Sequence, residues 1–314
     1  MIVKYNTNSI NKTNKKFICI YKSSQFDFLF REKGIDAYCI FKEISFFIKP
    51  IRKIFRILKL PLTLFYDQWK KQIKIVDTVV AFDGVPSDIL EYIKSKNPSI
   101  RIISWYWNPV SAKCVEDPKT ISDSLCEKWS FDEFDCKKYG MKFNTTFYFN
   151  NIKLPVYNIK YDVFFLGLEK NRSSILHDLQ NQIKTAGLIP YFYVVDNDAL
   201  EKGYKGLYPA ISYNQNLLYI AQSRAILDVL QENQSGMSLR PMEALFLKKK
   251  LITTQKGIIS CDFYHPDNIF IWGVDDLNNL RQFLHKPLYN VPKEIIDRYD
   301  VCNWLLRFNE KKQP

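Results

Sequence analysis

The chain has 314 residues, 46% hydrophobic and 25% charged, with a formal net charge of +12. This length suits two domains better than one, and the composition is that of a globular chain, not a disordered one. No run of about 18 apolar residues offers a membrane-spanning helix, and the cationic excess calls for anionic partners such as nucleotide phosphates, a lipid-linked acceptor or an acidic membrane surface. In chain order, Lys16 to Tyr21 (KFICIY) reads as a first strand, and the loop KSSQF after it contains no glycine. Gln25 to Lys33 reads as a short helix closed by Gly34, and Asp36 to Phe41 as a second strand.

The stretch 46–74, FFIKPIRKIFRILKLPLTLFYDQWKKQIK, is basic, apolar and aromatic at once. Lys49, Arg52, Lys53, Arg56 and Lys59 recur at helical spacing, with Ile51, Ile54, Phe55 and Leu58 on the other face. Pro50 and Pro61 divide the stretch into helical pieces. This pattern predicts a helix lying in an anionic membrane interface through Arg52, Lys53, Arg56 and Lys59. The alternative is a core-packed helix with a basic solvated face. RNA binding is a further option, but no single-strand stacking arrangement supports it, so no nucleic-acid partner is expected.

Asp77 to Phe82 reads as a strand running into Asp83, Gly84 and Pro86, Asp88 to Lys96 as a helix, and Arg101 to Trp107 as a strand ending in Asn108-Pro109. The βαβ rhythm predicts a doubly wound sheet whose strand ends open onto one crevice. Asp83 is then a candidate catalytic base and Asn108 a candidate acceptor contact, or else Asp83 is a turn aspartate before glycine. Lys128 to Asp132 follows as a strand and Asp132 to Tyr139 as a helix closed by Gly140. Periodicity then lapses as far as Tyr157, where the domain junction is expected.

Tyr161 to Leu166 begins the second half as an apolar strand leaving through Gly167, with Lys170 and Arg172 ahead of the helix Ser173 to Ala186. Cations at a helix entrance suit a phosphate, although a surface loop with ordinary charges has the same letters. Tyr191 to Val195 is a strand and Ile211 to Gln222 a helix, near whose start Tyr213 either stacks on a nucleotide base or packs. Arg224 to Thr254 reads as strand, polar loop, helix and strand, with Pro241 in the first helical turn and Lys248, Lys249 and Lys250 in the last. Its loop lies at the carboxyl end of a parallel strand, where open α/β sheets bind ligands. Gln234, Ser235, Gly236, Ser238, Arg240 and Glu243 fall within ten residues there. A helix N-terminus and a bidentate guanidinium bind phosphate, and Glu243 can accept from two ribose hydroxyls. The other reading is a polar loop whose acidic residue favours the helix dipole, with Arg240 paired to a nearby carboxylate. Ile269 to Trp272 completes the sheet, Asp275 is a candidate helix cap, and Pro292 to Phe308 reads as one last helix.

The Arg224–Thr254 segment resembles the donor-binding βαβ unit of GT-B glycosyltransferases, in which a glutamate just inside this helix holds the nucleotide ribose; Glu243 matches it. Ser235 stands where the E-x7-E pattern of the large retaining family has its first glutamate. The form Ser238-x-Arg240-x-x-Glu243, with WYWNPV (105–110), KWSFDEFDCKKYGMKFN (128–144) and YDVFFLGLEKNR (161–172), is similar to bacterial lipopolysaccharide and capsule glycosyltransferases. The resemblance implies two Rossmann-like domains with parallel sheets facing across a cleft. It divides the chain into an acceptor domain (1–157), a nucleotide-sugar domain (158–291) and a terminal helix (292–314) packing back towards the first domain.

It further implies metal-independent transfer of a sugar from a nucleotide-sugar to a lipid-linked or glycan acceptor, with no cofactor. Gly167, Lys170, Arg172, Tyr213, Ser235, Gly236, Ser238, Arg240 and Glu243 would hold the donor, and Arg240 would act on its leaving group. Asp196-Asn197-Asp198 has the letters of a metal-binding D-x-D but precedes a loop far from the expected donor loop. The seven cysteines contain no C-x-x-C pair and the three histidines no ligand spacing, so free thiols and no structural zinc are expected. The basic N-terminus lacks an apolar leader core. The expected location is cytoplasmic, peripheral to the inner face of the membrane. Two alternatives stay open: a non-catalytic GT-B scaffold, and a basic nucleic-acid-binding protein.

Overall fold

The structure is a computed structural model that describes residues 16–22, 26–58, 60–112, 115–170, 172–195, 207–231 and 234–309. Lys59, Cys114 and Asp196-Asn197-Asp198 lie outside the described residues, as does most of the loop after the first strand. The chain forms two compact units, one running to Thr145 and including Leu305 onward, the other Thr146–Trp304.

The first unit holds six parallel strands: β1 Phe17–Tyr21, β2 Asp36–Cys39, β3 Thr78–Phe82, β4 Arg101–Tyr106, β5 Glu127–Ser130 and β6 Lys142–Phe143, in the order β2-β1-β3-β4-β5-β6. Every residue of β1 and β3 is buried, as expected of central strands covered on both faces. The helix Ser87–Lys96 places Ile89, Leu90 and Ile93 against Ile18, Val79 and Ala81. Asp132 caps the helix Glu133–Tyr139 by accepting from Phe134 and Asp135 N–H, and Gly140 closes it at φ 66°. That left-handed conformation is open to glycine at little cost.

The second unit is also a six-stranded parallel sheet: β7 Tyr161–Leu168, β8 Pro190–Val195, β9 Leu207–Tyr208, β10 Ser223–Asp228, β11 Lys250–Thr253 and β12 Ile269–Ile271. Its order, β9-β8-β7-β10-β11-β12, is that of a doubly wound dinucleotide-type sheet, with the chain reversing direction between β7 and β10. Val163, Phe165, Ala225, Leu227 and Ile252 meet Leu176, Leu179 and Ile183 of the helix Ser173–Thr185 in its core.

Several expectations are corrected. The units divide after Thr145 and not after Tyr157, because Phe147, Tyr148 and Phe149 are already buried in the second unit, with Phe147 against Trp304 at 4.2 Å. The terminal stretch is two helices, Lys293–Arg298 and Val301–Arg307. The break comes where Tyr148 N–H donates to Tyr299 O and Val301 N–H donates to Tyr148 O, both at 2.9 Å. Residues 292–304 belong to the second unit, and only from Leu305 does the chain join the first, where Phe308 packs on Trp105 and Trp129.

The three lysines expected in the last turn of the Leu239–Phe246 helix lie beyond it. Lys248 turns the chain at φ 53°, Lys249 follows, and Lys250 opens β11. Asp276 caps the short turn before the helix Leu280–His285, while Asp275 accepts from Ile271 N–H. The cysteines among the described residues are free.

The basic stretch forms the helix Lys49–Ile57, the short turn Leu62–Leu64 and the helix Trp69–Gln72. The first of these has no buried residue. Phe55 alone turns inward, edge-on to Phe65 at 5.4 Å, and Arg52 lies 4.8 Å over the Phe41 ring. Ile51, Ile54, Ile57 and Leu58 are exposed, as are Phe46 and Phe47 ahead of them. The core-packed alternative does not describe this helix. Among the described residues no helix is long and apolar enough to cross a membrane.

Candidate functional site

The switch point between β7 and β10 is where a doubly wound sheet leaves room for a ligand. Gly167, Arg172, Ser238 and Arg240, all singled out in the sequence, arrive at these two strand ends. Asp228, the last residue of β10, is buried and accepts from Ser238 Oγ at 2.7 Å and Thr253 Oγ1 at 2.9 Å. Burial pushes its carboxyl up, against these hydrogen bonds and the nearby Arg240 and Arg172. Ser238 is also the helix cap, its oxygen accepting from Arg240 N–H at 3.1 Å. One serine thus ties the strand end to the helix start, and Asp228, which the sequence analysis missed, anchors it. The available signal was an acidic residue ending a buried strand just before the polar loop.

From β7, Arg172 folds back across the strand ends, donating to the carbonyls of Val229 and Leu168. Its Nε is buried without an acceptor among the described residues. Gly167 makes room for it: a Cβ there would lie 3.0 Å from Arg172 Nη2 and 2.9 Å from the Phe165 ring. Lys170 is exposed, at φ 43°. The N-terminus of the helix Ser173–Thr185, expected to receive phosphate, is instead met by Glu169 Oε1, which accepts from Ser173 N–H at 3.1 Å and Ser173 Oγ at 2.5 Å. A side-chain carboxylate holds the position that suits a ligand anion.

Glu243 departs furthest from expectation. It is fully buried. Its Oε1 accepts from Tyr213 OH at 3.1 Å and Asn216 Nδ2 at 3.0 Å, and its Oε2 from Arg240 Nη1. Arg240 spends a second N–H on Leu166 O at 2.8 Å. Burial alone would lower the Arg240 pKa; the Glu243 carboxylate outweighs it and raises it.

Tyr213 is buried and shares a hydrogen bond with Tyr148 OH, so it is a packing residue here and not an open stacking platform. Burial, reinforced by Glu243, pushes both phenols up. Glu243 and Arg240 therefore satisfy each other, the arrangement that the sequence left open as a paired arginine. Tyr148 and Asn216 complete the network; nothing in their local sequence marks them. Within the loop, Gly236 O accepts from Gln234 Nε2 at 2.9 Å and Ser235 O from Gln255 Nε2 at 3.2 Å.

In the first unit, the structure brings Asp83 and Asn108 together, but onto each other. Asp83 Oδ1 accepts from Trp107 and Asn108 N–H, both at 2.9 Å, and Oδ2 from Asn108 Nδ2 at 2.8 Å. Burial still raises its carboxyl pKa despite these bonds. Asp83 at φ 57° and Gly84 at φ 69° form a tight turn, and a Cβ at Gly84 would lie 2.8 Å from Glu116 Cβ. The carboxylate knits the ends of β3 and β4, which is the turn-aspartate reading. No group of three or more His, Cys, Asp or Glu able to hold a metal occurs among the described residues.

No protein-family model matches the chain, and no curated protein matches it in sequence. Among solved structures, a sucrose-phosphate synthase from Thermosynechococcus elongatus is similar at 10% identity, with 94% of this chain and 98% of that one covered and a TM-score of 0.50. A UDP-forming α,α-trehalose-phosphate synthase from Burkholderia xenovorans aligns at 10% identity over 94% and 98% of the two chains, with a TM-score of 0.48. An α-glucosyltransferase in complex with UDP and DNA aligns at 12% identity over 94% and 96%, with a TM-score of 0.46. At such identities the likeness is one of fold: two parallel-sheet α/β units, as in GT-B glycosyltransferases.

Proposed function

We propose that this chain transfers a sugar from a nucleotide-sugar donor to a lipopolysaccharide or capsular glycan acceptor at the cytoplasmic face of the membrane, without a metal ion. The observation that carries this reading is the switch point between β7 and β10, where Lys170, Arg172, Ser238 and Arg240 gather at the carboxyl ends of a doubly wound sheet. The fold likeness to a sucrose-phosphate synthase agrees with sugar transfer. As the sugar leaves, its transition state resembles an oxocarbenium ion and charge grows on the diphosphate. Lys170, Arg172 and Arg240 are the groups suited to stabilise that charge. Donor entry then requires Arg240 and Glu243 to exchange each other for diphosphate and ribose, and Glu169 to give up the helix N-terminus. The exposed basic and apolar helix Lys49–Ile57 supports docking on an anionic membrane, where a lipid-linked acceptor resides.

The closed Glu243–Arg240 pair favours a second reading, a GT-B scaffold without catalysis. A thermal-shift screen against nucleotide-sugars separates the two. A ligand binding only the folded state raises its melting temperature, so transfer predicts at least one nucleotide-sugar that stabilises the chain, and the scaffold predicts none. A hit followed by transfer to a lipid-linked glycan establishes the reaction.

A further inference from the structure

Behind the candidate donor helix lies a cavity that the transfer reading does not use. It has a volume of about 350 Å³ and lies between the helix Leu239–Phe246, the start of β11 and the segment 288–296. Native interiors are close-packed and leave few voids larger than a water, and this volume falls within the range of small-ligand pockets. Pro241, Ala244 and Leu245 line it from one helical stripe, and Lys248 from the turn beyond the helix. Arg240 and Glu243 lie on another.

Two features of the lining define a ligand. Leu245, Leu251, Phe263, Ile269, Leu288 and Ile296 make most of the wall apolar. The charged residues of the wall are Lys248, Lys249 and Lys293, with no aspartate or glutamate among them. Lys293 shares its charge with Asp297, one helical turn on. Lys249 donates to the carbonyls of Ala221 at 3.1 Å and Ser223 at 2.6 Å, and burial pulls its pKa down to about 8. An ammonium held in a poorly solvated wall gains most from an anion.

We propose that this cavity binds an anionic amphiphile, its hydrocarbon body against the apolar wall and its phosphate or carboxylate head at Lys248, Lys249 and Lys293. A lipid phosphate and a free fatty acid share this chemistry. The site is independent of the donor reading, because no nucleotide takes part in it.

The test titrates the full chain by calorimetry with dodecyl phosphate, dodecanoate, uncharged dodecyl maltoside and inorganic phosphate, each amphiphile below its micelle concentration. One of the two anionic amphiphiles should bind at least about tenfold tighter than dodecyl maltoside and inorganic phosphate, using charge-assisted contacts as the scale. Preference for dodecyl phosphate assigns a lipid phosphate, and preference for dodecanoate a fatty acid. Lys248→Gln with Lys293→Gln should weaken binding about tenfold or more, and Leu245→Trp, which fills the cavity, should abolish it. Should the tryptophan variant not fold, hydrogen exchange on the unaltered chain decides: the ligand must slow exchange in Leu239–Phe246 and 288–293. Equal binding of the uncharged amphiphile, binding by inorganic phosphate alone, indifference to the lysine changes, unaltered exchange in those two segments, or no binding at all would overturn the proposal.

Discussion

The carboxyl edge of the second sheet and the helix Lys49–Ile57 both concentrate charge, and they treat it in opposite ways. At the sheet edge the charges find partners within the unit: Glu243 takes Arg240, Tyr213 and Asn216, and Asp228 takes Ser238 and Thr253. On the helix, Ile54, Ile57 and Leu58 are 52%, 68% and 62% exposed, and Lys53 and Arg56 beside them are exposed as well. A buried ion pair is a poor source of net stability but a costly thing to break. An apolar and cationic surface left open is cheap to alter and waits for a complement from outside. On the proposed reading the first region would have to rearrange to admit a donor, whereas the second already presents an open surface.

The largest expected effect breaks the first half of this contrast. Glu243→Ala leaves the largely buried Arg240 side chain, 20% exposed, without its carboxylate, and should destabilise the chain by about 3 kcal/mol in urea unfolding. Adding Arg240→Met should recover part of that loss, since the two residues act as a pair. A Glu243→Ala variant of unchanged stability would show the pair to be incidental.

The second half is tested at the helix. Arg52, Lys53, Arg56 and Lys59, all changed to glutamine, should weaken binding to anionic vesicles by roughly tenfold to a thousandfold, at roughly 1 kcal/mol or less per charge. Stability should fall by no more than about 1 kcal/mol, the scale of the lost Arg52–Phe41 contact. Equal sedimentation of both proteins with anionic vesicles would remove this helix as the anchor.

Glu127 sharpens the same contrast with a half-exposed pair. Burial works against its ionisation, but hydrogen bonds from Arg101 and Lys142 more than reverse that and hold its pKa at about 2, below the ordinary 4.5. A folded pKa below the unfolded one stabilises the fold at pH above the unfolded value. That stability is lost as pH falls from about 4.5 towards about 2. Glu127→Gln should therefore flatten the acid limb of the stability curve in this window and leave its slope near neutral pH unchanged.

The smallest effect is at Glu169. Replacing it by glutamine removes the anion at the Ser173 helix N-terminus, and should cost about 0.5–1 kcal/mol of stability, the scale of a lost cap or dipole contact. It should also strengthen nucleoside diphosphate binding several-fold, which titration of the two proteins measures.

The strands and crossover helices were legible because their patterns are strong. β1, β3 and β10 are short apolar runs bounded by turn residues, and Gly34 and Gly140 sit at φ 71° and φ 66° where chain reversal needs them. Of the candidate site, the residue types at the strand ends were legible: Gly167, Arg172, Ser238 and Arg240 lie near one another there, whether or not a donor binds. What the sequence could not carry is who takes each hydrogen bond. Glu243 and Asn216 are 27 residues apart, and Glu243 and Tyr213 are 30 apart, distances at which no local pattern operates. The exposed helix shows the same limit: periodicity gave an apolar face at Ile51, Ile54 and Leu58, but tertiary packing decided that only Phe55 turns inward. The terminal helix broke at Tyr299 for a similar reason, a backbone bridge to Tyr148 that lies far away in the chain.

The measurement closest to the central claim is calorimetric titration of the chain and its Lys170→Gln variant with nucleoside diphosphates. Lys170 is exposed, two residues beyond the end of β7, so its replacement alters the proposed diphosphate site at a solvent-facing position. A nucleoside diphosphate should bind the unaltered chain, and the variant should bind it about tenfold more weakly, on the scale of one charge-assisted hydrogen bond. Binding of equal strength to both proteins, or to neither, would contradict a donor site at the β7–β10 switch point.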